Sequence, residues 1–554
     1  MTGHCRGLGT DGPEEYLKRL IGVAGVGALA GCSALEPDEP STTPAPPPET
    51  TAPPETTTPP PREYANVVDV VEAGADPSGH ERVDHVLESV VADDTKLVFP
   101  EGRYRLANLH LAGYDNLGFV GDDATFVPDL AGKNVLLSFQ QAADLHVEGF
   151  TVDQTGDDAC GWVDVRVVGG RNVVRDVTLN GRNEIEGRTN GFTLLSEGAD
   201  TDLLLDRVDL GDGGVDAVGM YVFPQKDFFD SSRDPGAITL RDCTLTGWRR
   251  EGLYGSPHGG PIRVVGGEYR NNGIVQVRIG GGNAGTEALI RNVSVVVDDP
   301  PAYITSTRTR NMRGIWLEEG DGVTIEGTTV DIRDVGDGDS QGGIVISQQF
   351  GRATIRNTTV RTNQGVTGIS IEAPETQYEA RSMPSLTRLP DEWTVTCEDV
   401  ALTGDSEHGA ALNVVGRDGC VFRNLDVDQP RGTRHGLLAV DAADVLIEGG
   451  RWVTSGYPLL VGVNDAAPED GCLVSLQGVE EFDGTNVDDG TVLGADEPSV
   501  HADAGRYCLP VGVIGGPSSQ RHRLPFVGVT GLDSQRLHGR LLVGRPNGND
   551  LVKR

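Results

Sequence analysis

Tyr254, His258, Arg278 and Glu318 are the residues of this 554-residue chain whose types suit proton transfer beside a carboxylate. A neutral His or a Tyr can take a proton from a carbon acid, and an Arg can neutralise the adjoining carboxylate so that the carbanion is less costly. His258 sits in GLYGSPHGGP, residues 252–261, one turn from Tyr254; a solvated loop His in a Gly-Pro turn is the plain alternative. Tyr221, Gln276, Arg313, Trp316, Glu319 and Glu372 offer the rings and polar groups of a sugar-binding groove, in which flat rings stack on sugar faces and polar groups fix orientation. Exposed strand positions favour Tyr and Trp in any case. Hydrolysis would instead need paired carboxylates, for which Glu318, Glu319 and Asp321, or Asp212 and Asp216, are candidates. Glu318, Glu319 and Asp321 could also take Ca²⁺ through oxygen ligands or form a solvated acidic patch. No CxxC and no His/Cys spacing suits zinc, so Ca²⁺ is the one cofactor to be considered.

These residues belong to a repeat. Twelve eight-residue windows align along the chain, among them LHVEGFTV from Leu145, LLLDRVDL from Leu203, VTIEGTTV from Val323 and VSLQGVEE from Val474. Their fifth position is Gly, Asn or Asp in all but one, the exception being Arg207. A strand that must turn after four residues needs a residue tolerant of left-handed backbone. The regular spacing reads as stacked rungs that bury a core by neighbour contact. The expected fold is all-β: a single-stranded right-handed parallel β-helix of about twelve rungs with an N-terminal capping helix. An immunoglobulin-like array would not repeat one turn residue at one point of every unit.

A second strand series, with GMYVF (219), GLYGS (252), VQVRI (275) and GIWLE (314), precedes most windows. Its outward positions read as a row Tyr221, Tyr254, Gln276, Trp316, Val345, Ser370, with Ser256, Arg278, Glu318, Ser347 and Glu372 beside it. Equivalent positions of successive rungs lie about 4.8 Å apart. Loops 211–237, 298–312 and 374–392 are expected to rise as walls. The cap and first rungs take residues 63–144, the coil 145–485, and a C-terminal cap or tail 486–554.

The net charge of −37 and the low aromatic content argue against nucleic-acid binding, which needs basic surface. Lys18 and Arg19 precede a short apolar run, Leu20 to Ala30, with the shape of a signal-peptide core, giving 1–31 as a signal peptide. Residues 32–62 are a lipidatable Cys32 followed by a Pro/Thr-rich spacer unable to bury a core. Cys397 and Cys420 fall at inward positions and read as core thiols. Two sequons, Asn292-Val293-Ser294 and Asn357-Thr358-Thr359, place their Asn at the turn, where stacking is expected to leave no room for a glycan.

Several segments resemble known families. The Gly74-Ala75-Asp76 segment, the helical run 83–91 and Phe99-Pro100-Glu101-Gly102-Arg103-Tyr104 resemble the N-terminal cap of the pectin-lyase-like β-helix superfamily. Tyr254-Gly255-Ser256-Pro257-His258 resembles a Tyr-Gly-x-Asp-Pro-His segment of uronan epimerases with this fold, one residue shorter and without the Asp. Leu29-Ala30-Gly31-Cys32 resembles the lipobox of prokaryotic lipoproteins, and the abundance of Asp over Lys resembles proteins of salt-loving archaea. Together the resemblances imply a cell-surface lipoprotein, membrane-bound through its lipid alone, with a polysaccharide partner. A lyase or epimerase acting on a uronic-acid glycan is the leading expectation. A non-catalytic glycan-binding or adhesion module is the alternative.

Overall fold

In the computed structural model, residues 62–223, 234–283, 287–301, 311–336, 338–379, 383–462, 472–477, 479, 481–484 and 507–510 are described. The signal-peptide, Cys32 and spacer assignments lie outside them, as does most of the segment after 485. Among the described residues no helix is long and apolar enough to cross a membrane.

The chain winds as a right-handed parallel β-helix of about 13 turns. Among the described residues the strands pair in parallel, except that Cys472–Gln477 meets Tyr507–Pro510 antiparallel and Glu197 forms an isolated antiparallel bridge with Pro235. The coil starts earlier than the Leu145 window: Asn66–Asp69 pairs with Thr95–Phe99, which pairs in turn with Leu117–Pro128. A seven-residue helix, Asp84–Val90, closes the first end. Val83, Val86 and Leu87 are buried, and the buried Asp84 carboxylate accepts the main-chain N–H groups of Ala107 and Asn108 at 3.0 and 3.3 Å. Under this cap Phe99, Phe119, Phe126 and Phe150 pack with ring centroids 4.4–5.9 Å apart. Large rings there fill a core that later rungs fill with Ile, Leu and Val at the first and third window positions, such as Leu203, Leu205, Ile238, Leu240, Val323 and Ile325.

The turn position behaves as its composition requires. Gly149, Asp176, Arg207, Asp242, Gly266, Asn292, Gly327, Asn357, Asp399, Asn424 and Gly449 all have φ between 49° and 77°. Arg207, the one residue there with no intrinsic aptitude for that geometry, is held by Asp176 at 2.8 Å and Asp206 at 2.5 Å. Asn292 and Asn357 are exposed at this corner, against the expectation that stacking closes it, because a left-handed turn throws its side chain out of the coil.

Just before the turn, the fourth window position carries charges that alternate along the stack. Glu148, Arg175, Asp206 and Arg241 stand in register, and so do Arg291, Glu326, Arg356, Glu398, Arg423 and Glu448. Arg175 bonds Glu148 at 2.7 Å, Arg241 bonds Asp206 at 2.7 Å and Arg423 bonds Glu448 at 2.8 Å. A half-exposed pair such as Arg423–Glu448 contributes little stability by itself, about 0–1 kcal/mol, whereas the Asp206 carboxylate is buried. The alternation penalises any pairing that brings like charges together.

Cys397 and Cys420 are buried free thiols, as are Cys160 and Cys243. Register pairs Cys397 with Phe422, so the two sulfurs do not face each other.

Candidate functional site

The second strand series forms the sheet that carries the candidate residues. Tyr221 pairs with Tyr254, Tyr254 with Arg278, Arg278 with Trp316, Trp316 with Val345 and Val345 with Ser370. Arg278, not Gln276, therefore stands between Tyr254 and Trp316. Gln276 is fully buried, its amide oxygen accepting from the Asn272 main chain at 2.7 Å and its amide nitrogen donating back to the Asn272 carbonyl at 2.9 Å. It fills a corner that Gly252 and Gly314 leave small on the neighbouring rungs, and it does not reach the outer face.

Arg278 is the centre of the arrangement. Its guanidinium lies 3.9 Å from the Tyr254 ring centroid and 4.2 Å from that of Trp316. It meets Glu318 twice, Nε donating to Oε2 at 2.7 Å and Nη2 to Oε1 at 2.5 Å, while Nη1 lies 3.5 Å from buried Glu251. Paired carboxylates hold its pKa above the ordinary value despite burial. Ser256 Oγ also donates to Glu318. Arg313 packs 3.9 Å from the Trp316 ring, and Trp316 Nε1 donates to Ser347 Oγ at 2.6 Å. Tyr221 continues the strip edge-to-face with Tyr254 at 5.1 Å and with Phe223 at 5.2 Å, and Arg166 lies 4.6 Å over Phe223. Cation–π contacts of this kind are worth about 0.5–2 kcal/mol each, and together they fix the rings in place.

The structure thus brings together Tyr221, Tyr254, Arg278, Arg313, Trp316 and Glu318. His258 is not among the accessible groups: it is fully buried, and its Nε2–H donates to the Gly236 carbonyl at 2.8 Å. Burial drives its pKa down to about 4, so it is neutral and sealed away, neither a base at the surface nor a solvated loop residue. Tyr254 has its phenol pushed well above the ordinary value by burial, which opposes its use as a base near neutral pH. Glu372 follows strand Ile369–Ile371, two rungs beyond Trp316, and its carbonyl accepts from Arg417 Nε at 2.9 Å.

Glu318 and Glu319 differ sharply. Glu318 is held against Arg278, whereas Glu319 is 2% exposed and accepts the Ser385 main-chain N–H at 3.1 Å. Burial, with the Glu318 charge next to it, raises the Glu319 pKa to about 8. The two carboxylates do not assemble a calcium site, since one is spent on an Arg and the other keeps its proton. Among the described residues no group of three or more His, Cys, Asp or Glu is placed to hold a metal ion. Of the expected walls, residues 224–233, 302–310 and 380–382 lie outside the described residues. The described part of the third, with buried Met383, Ser385 and Leu386, packs down on Glu319.

A pH dependence follows from Glu319. Its folded-state pKa lies above the ordinary value of 4.5, so unfolding releases a proton between pH 4.5 and about 8. Its contribution should favour the folded chain most below pH 4.5 and decline up to about pH 8, by on the order of a few kcal/mol. Denaturant titrations of wild type and Glu319→Gln at pH 5 and pH 8 check this: the wild type should lose more stability than the variant across that interval, and equal losses would contradict it.

Sequence reasoning missed Glu251, Phe223, Arg166 and Ser385. Only Phe223 carried a signal, an aromatic two residues after Tyr221 on the same strand face. Glu251 and Ser385 reach the site from a corner and a loop, for which no periodicity exists.

No protein-family profile matches the chain, and no curated protein matches it. Three solved structures illustrate its structural likenesses. The A-module of the Azotobacter vinelandii mannuronan C-5 epimerase AlgE4 shares 11% identity and a TM-score of 0.35 over 73% of this chain and 100% of that one. PfbA, a surface adhesin of Streptococcus pneumoniae, shares 10% and 0.35 over 76% and 92%. The Yersinia enterocolitica family 28 exopolygalacturonase shares 10% and 0.27 over 77% and 80%. Identities and scores this low say nothing about activity. By its parallel strand pairing and N-terminal helix, the chain is a right-handed parallel β-helix.

Proposed function

We propose that the face bearing Tyr221, Phe223, Tyr254, Arg278 and Trp316 binds polysaccharide, and that the protein is an exported, Cys32-anchored glycan-binding module. The observation that carries this is the in-register row Tyr221, Tyr254, Arg278, Trp316 on four consecutive rungs. Rings fixed in advance by stacked guanidinium groups lose little freedom when a ligand arrives, so they suit recognition of an extended chain. The signal-peptide-like run, the lipobox-like Leu29-Ala30-Gly31-Cys32 and the acidic composition support a domain held away from a cell by residues 32–62.

Binding is favoured over lyase or epimerase chemistry for two reasons. Arg278, the group that would neutralise a uronate, is already neutralised by Glu318. His258, the candidate base, is inside. With its charge spent, the face should hold neutral glycans at least as well as uronans and with little salt dependence.

A second reading rests on Glu319, a carboxyl protonated near neutral pH beside one paired with Arg278, an arrangement that an acid-assisted glycosidic cleavage could use. It requires the segment containing Ser385 to lift.

Affinity electrophoresis in gels cast with neutral and acidic polysaccharides tests the binding face. Tyr221→Ala, which removes a half-exposed ring from the strip, should weaken retention several-fold. Unchanged retention in that variant would move binding elsewhere.

A further inference from the structure

The two sequons stand at the same point of the coil. Arg291, Glu326 and Arg356 are in register, so the residues after them, Asn292, Gly327 and Asn357, line one corner, with Gly266 on the rung before. Asn292 and Asn357 both have positive φ, 55° and 49°, and both are exposed.

What separates them from other turn asparagines is the rung beneath. Asn424 Nδ2 donates to Asp399 Oδ1 of the preceding turn at 3.3 Å, and Asn116 Nδ2 to Asp94 Oδ1 at 2.6 Å. Those amides are spent, and neither residue opens a sequon. Beneath Asn292 and Asn357 the turn residue is Gly266 and Gly327, which offer no acceptor and no bulk. The Asn292 Oδ1 lies only 2.4 Å from where a Cβ on Gly327 would be, so its carboxamide oxygen rests against the next rung. Among the described residues neither Nδ2 has a hydrogen-bond partner. A substituent on either nitrogen would project from the corner without displacing a side chain of the rung below.

We propose that Asn292 and Asn357 are sites of asparagine-linked glycosylation, two rungs and so about 9.6 Å apart along one edge. The proposal rests on export as stated under Proposed function. The donor is an oligosaccharide carried on a lipid phosphate and transferred by a membrane enzyme. The Asn Nδ2 attacks C1 of the first sugar, the Nδ2–C1 bond forms as the C1–O bond to phosphate breaks, the lipid phosphate leaves with the electron pair, and Nδ2 gives up one proton. Ser294 and Thr359 supply the hydroxyl that the acceptor motif requires.

The test uses the full chain labelled at the surface of its own cells with a membrane-impermeant reagent, then purified and digested with trypsin. Cleavage after Arg291 and Arg356 gives peptides that begin at each Asn. Mass spectrometry should find sugar on both, and Ser294→Ala or Thr359→Ala should remove it from its own site alone, while the Asn424 peptide stays bare. These variants leave the Asn in its turn, so loss of modification cannot be ascribed to a broken corner. Bare Asn292 and Asn357 in surface-labelled protein would overturn the site assignment. Absence of surface label would overturn export itself and the proposal with it.

Discussion

Arg417→Met should lower stability by about 3–5 kcal/mol, the largest loss expected from a single substitution in the coil. Arg417 is fully buried, and among the described residues it forms no ion pair, the Glu372 charge acting on it only from a distance. Its guanidinium instead donates to a cage of main-chain carbonyls: Nε to Glu372 at 2.9 Å, Nη1 to Phe350 and Gly351 at 3.0 Å each, and Nη2 to Ser347 at 3.0 Å. Burial lowers its pKa to about 10, so it stays charged at neutral pH. Ser347, Phe350 and Gly351 lie within the one strand Asp339–Arg356, and Glu372 follows strand Ile369–Ile371 on the next rung, where the segment that packs on Glu319 leaves the coil. Met fills much of the volume but satisfies none of the oxygens, whereas Lys would reach some of them and should cost less. Rungs of a solenoid unfold semi-independently, so the readout must be local. Limited proteolysis at Arg388 in rising urea should show cleavage at clearly lower denaturant in Arg417→Met. An unchanged cleavage profile would mean that the cage does not hold this segment.

The second large effect concerns the Arg278–Glu318 pair. Glu318→Gln leaves a guanidinium whose side chain is only 11% exposed with Glu251 as its nearest carboxylate, at 3.5 Å. Arg278→Met leaves Glu318 with Ser256 alone. Each should cost about 3 kcal/mol. Removing both charges in Arg278→Met/Glu318→Leu should recover most of the loss, because breaking a buried pair is worse than replacing it with apolar groups. A double variant as unstable as the sum of the singles would contradict the structural role. The pair is then a strut that braces the Tyr254 and Trp316 rings, and not a pair of reacting groups.

The scaffold was readable in the sequence because each rung repeats one mechanical demand. The left-handed corner selects Gly, Asn and Asp, and even Arg207 adopts it. The alternating charges of Glu148, Arg175, Asp206 and Arg241 were also present in the aligned windows, visible only when one position is followed down the stack. The site was harder. GLYGS and GIWLE begin with the corner Gly, but the rung between them puts Gln276 at that corner, which removed the marker that sets register and placed Arg278 in the wrong row. His258 misled for a different reason: Gly and Pro on both sides suggest a solvated loop, yet the Gly236 carbonyl draws its ring inward. Arg417 carried no sequence signal, since its partners are backbone oxygens, which every residue has.

On the function proposed above, this face recognises glycan without transforming it. One experiment addresses both halves: wild-type protein, in concentrated salt, is incubated with a panel of neutral polysaccharides and uronans while bound ligand, unsaturated uronides and new reducing ends are measured together. The expected result is saturable binding to at least one polysaccharide, weakened several-fold in Tyr221→Ala, with no product of either kind. Turnover that persists in Arg278→Met/Glu318→Leu, or product formation abolished by Glu319→Gln, would contradict it and make the buried carboxyl the reacting group.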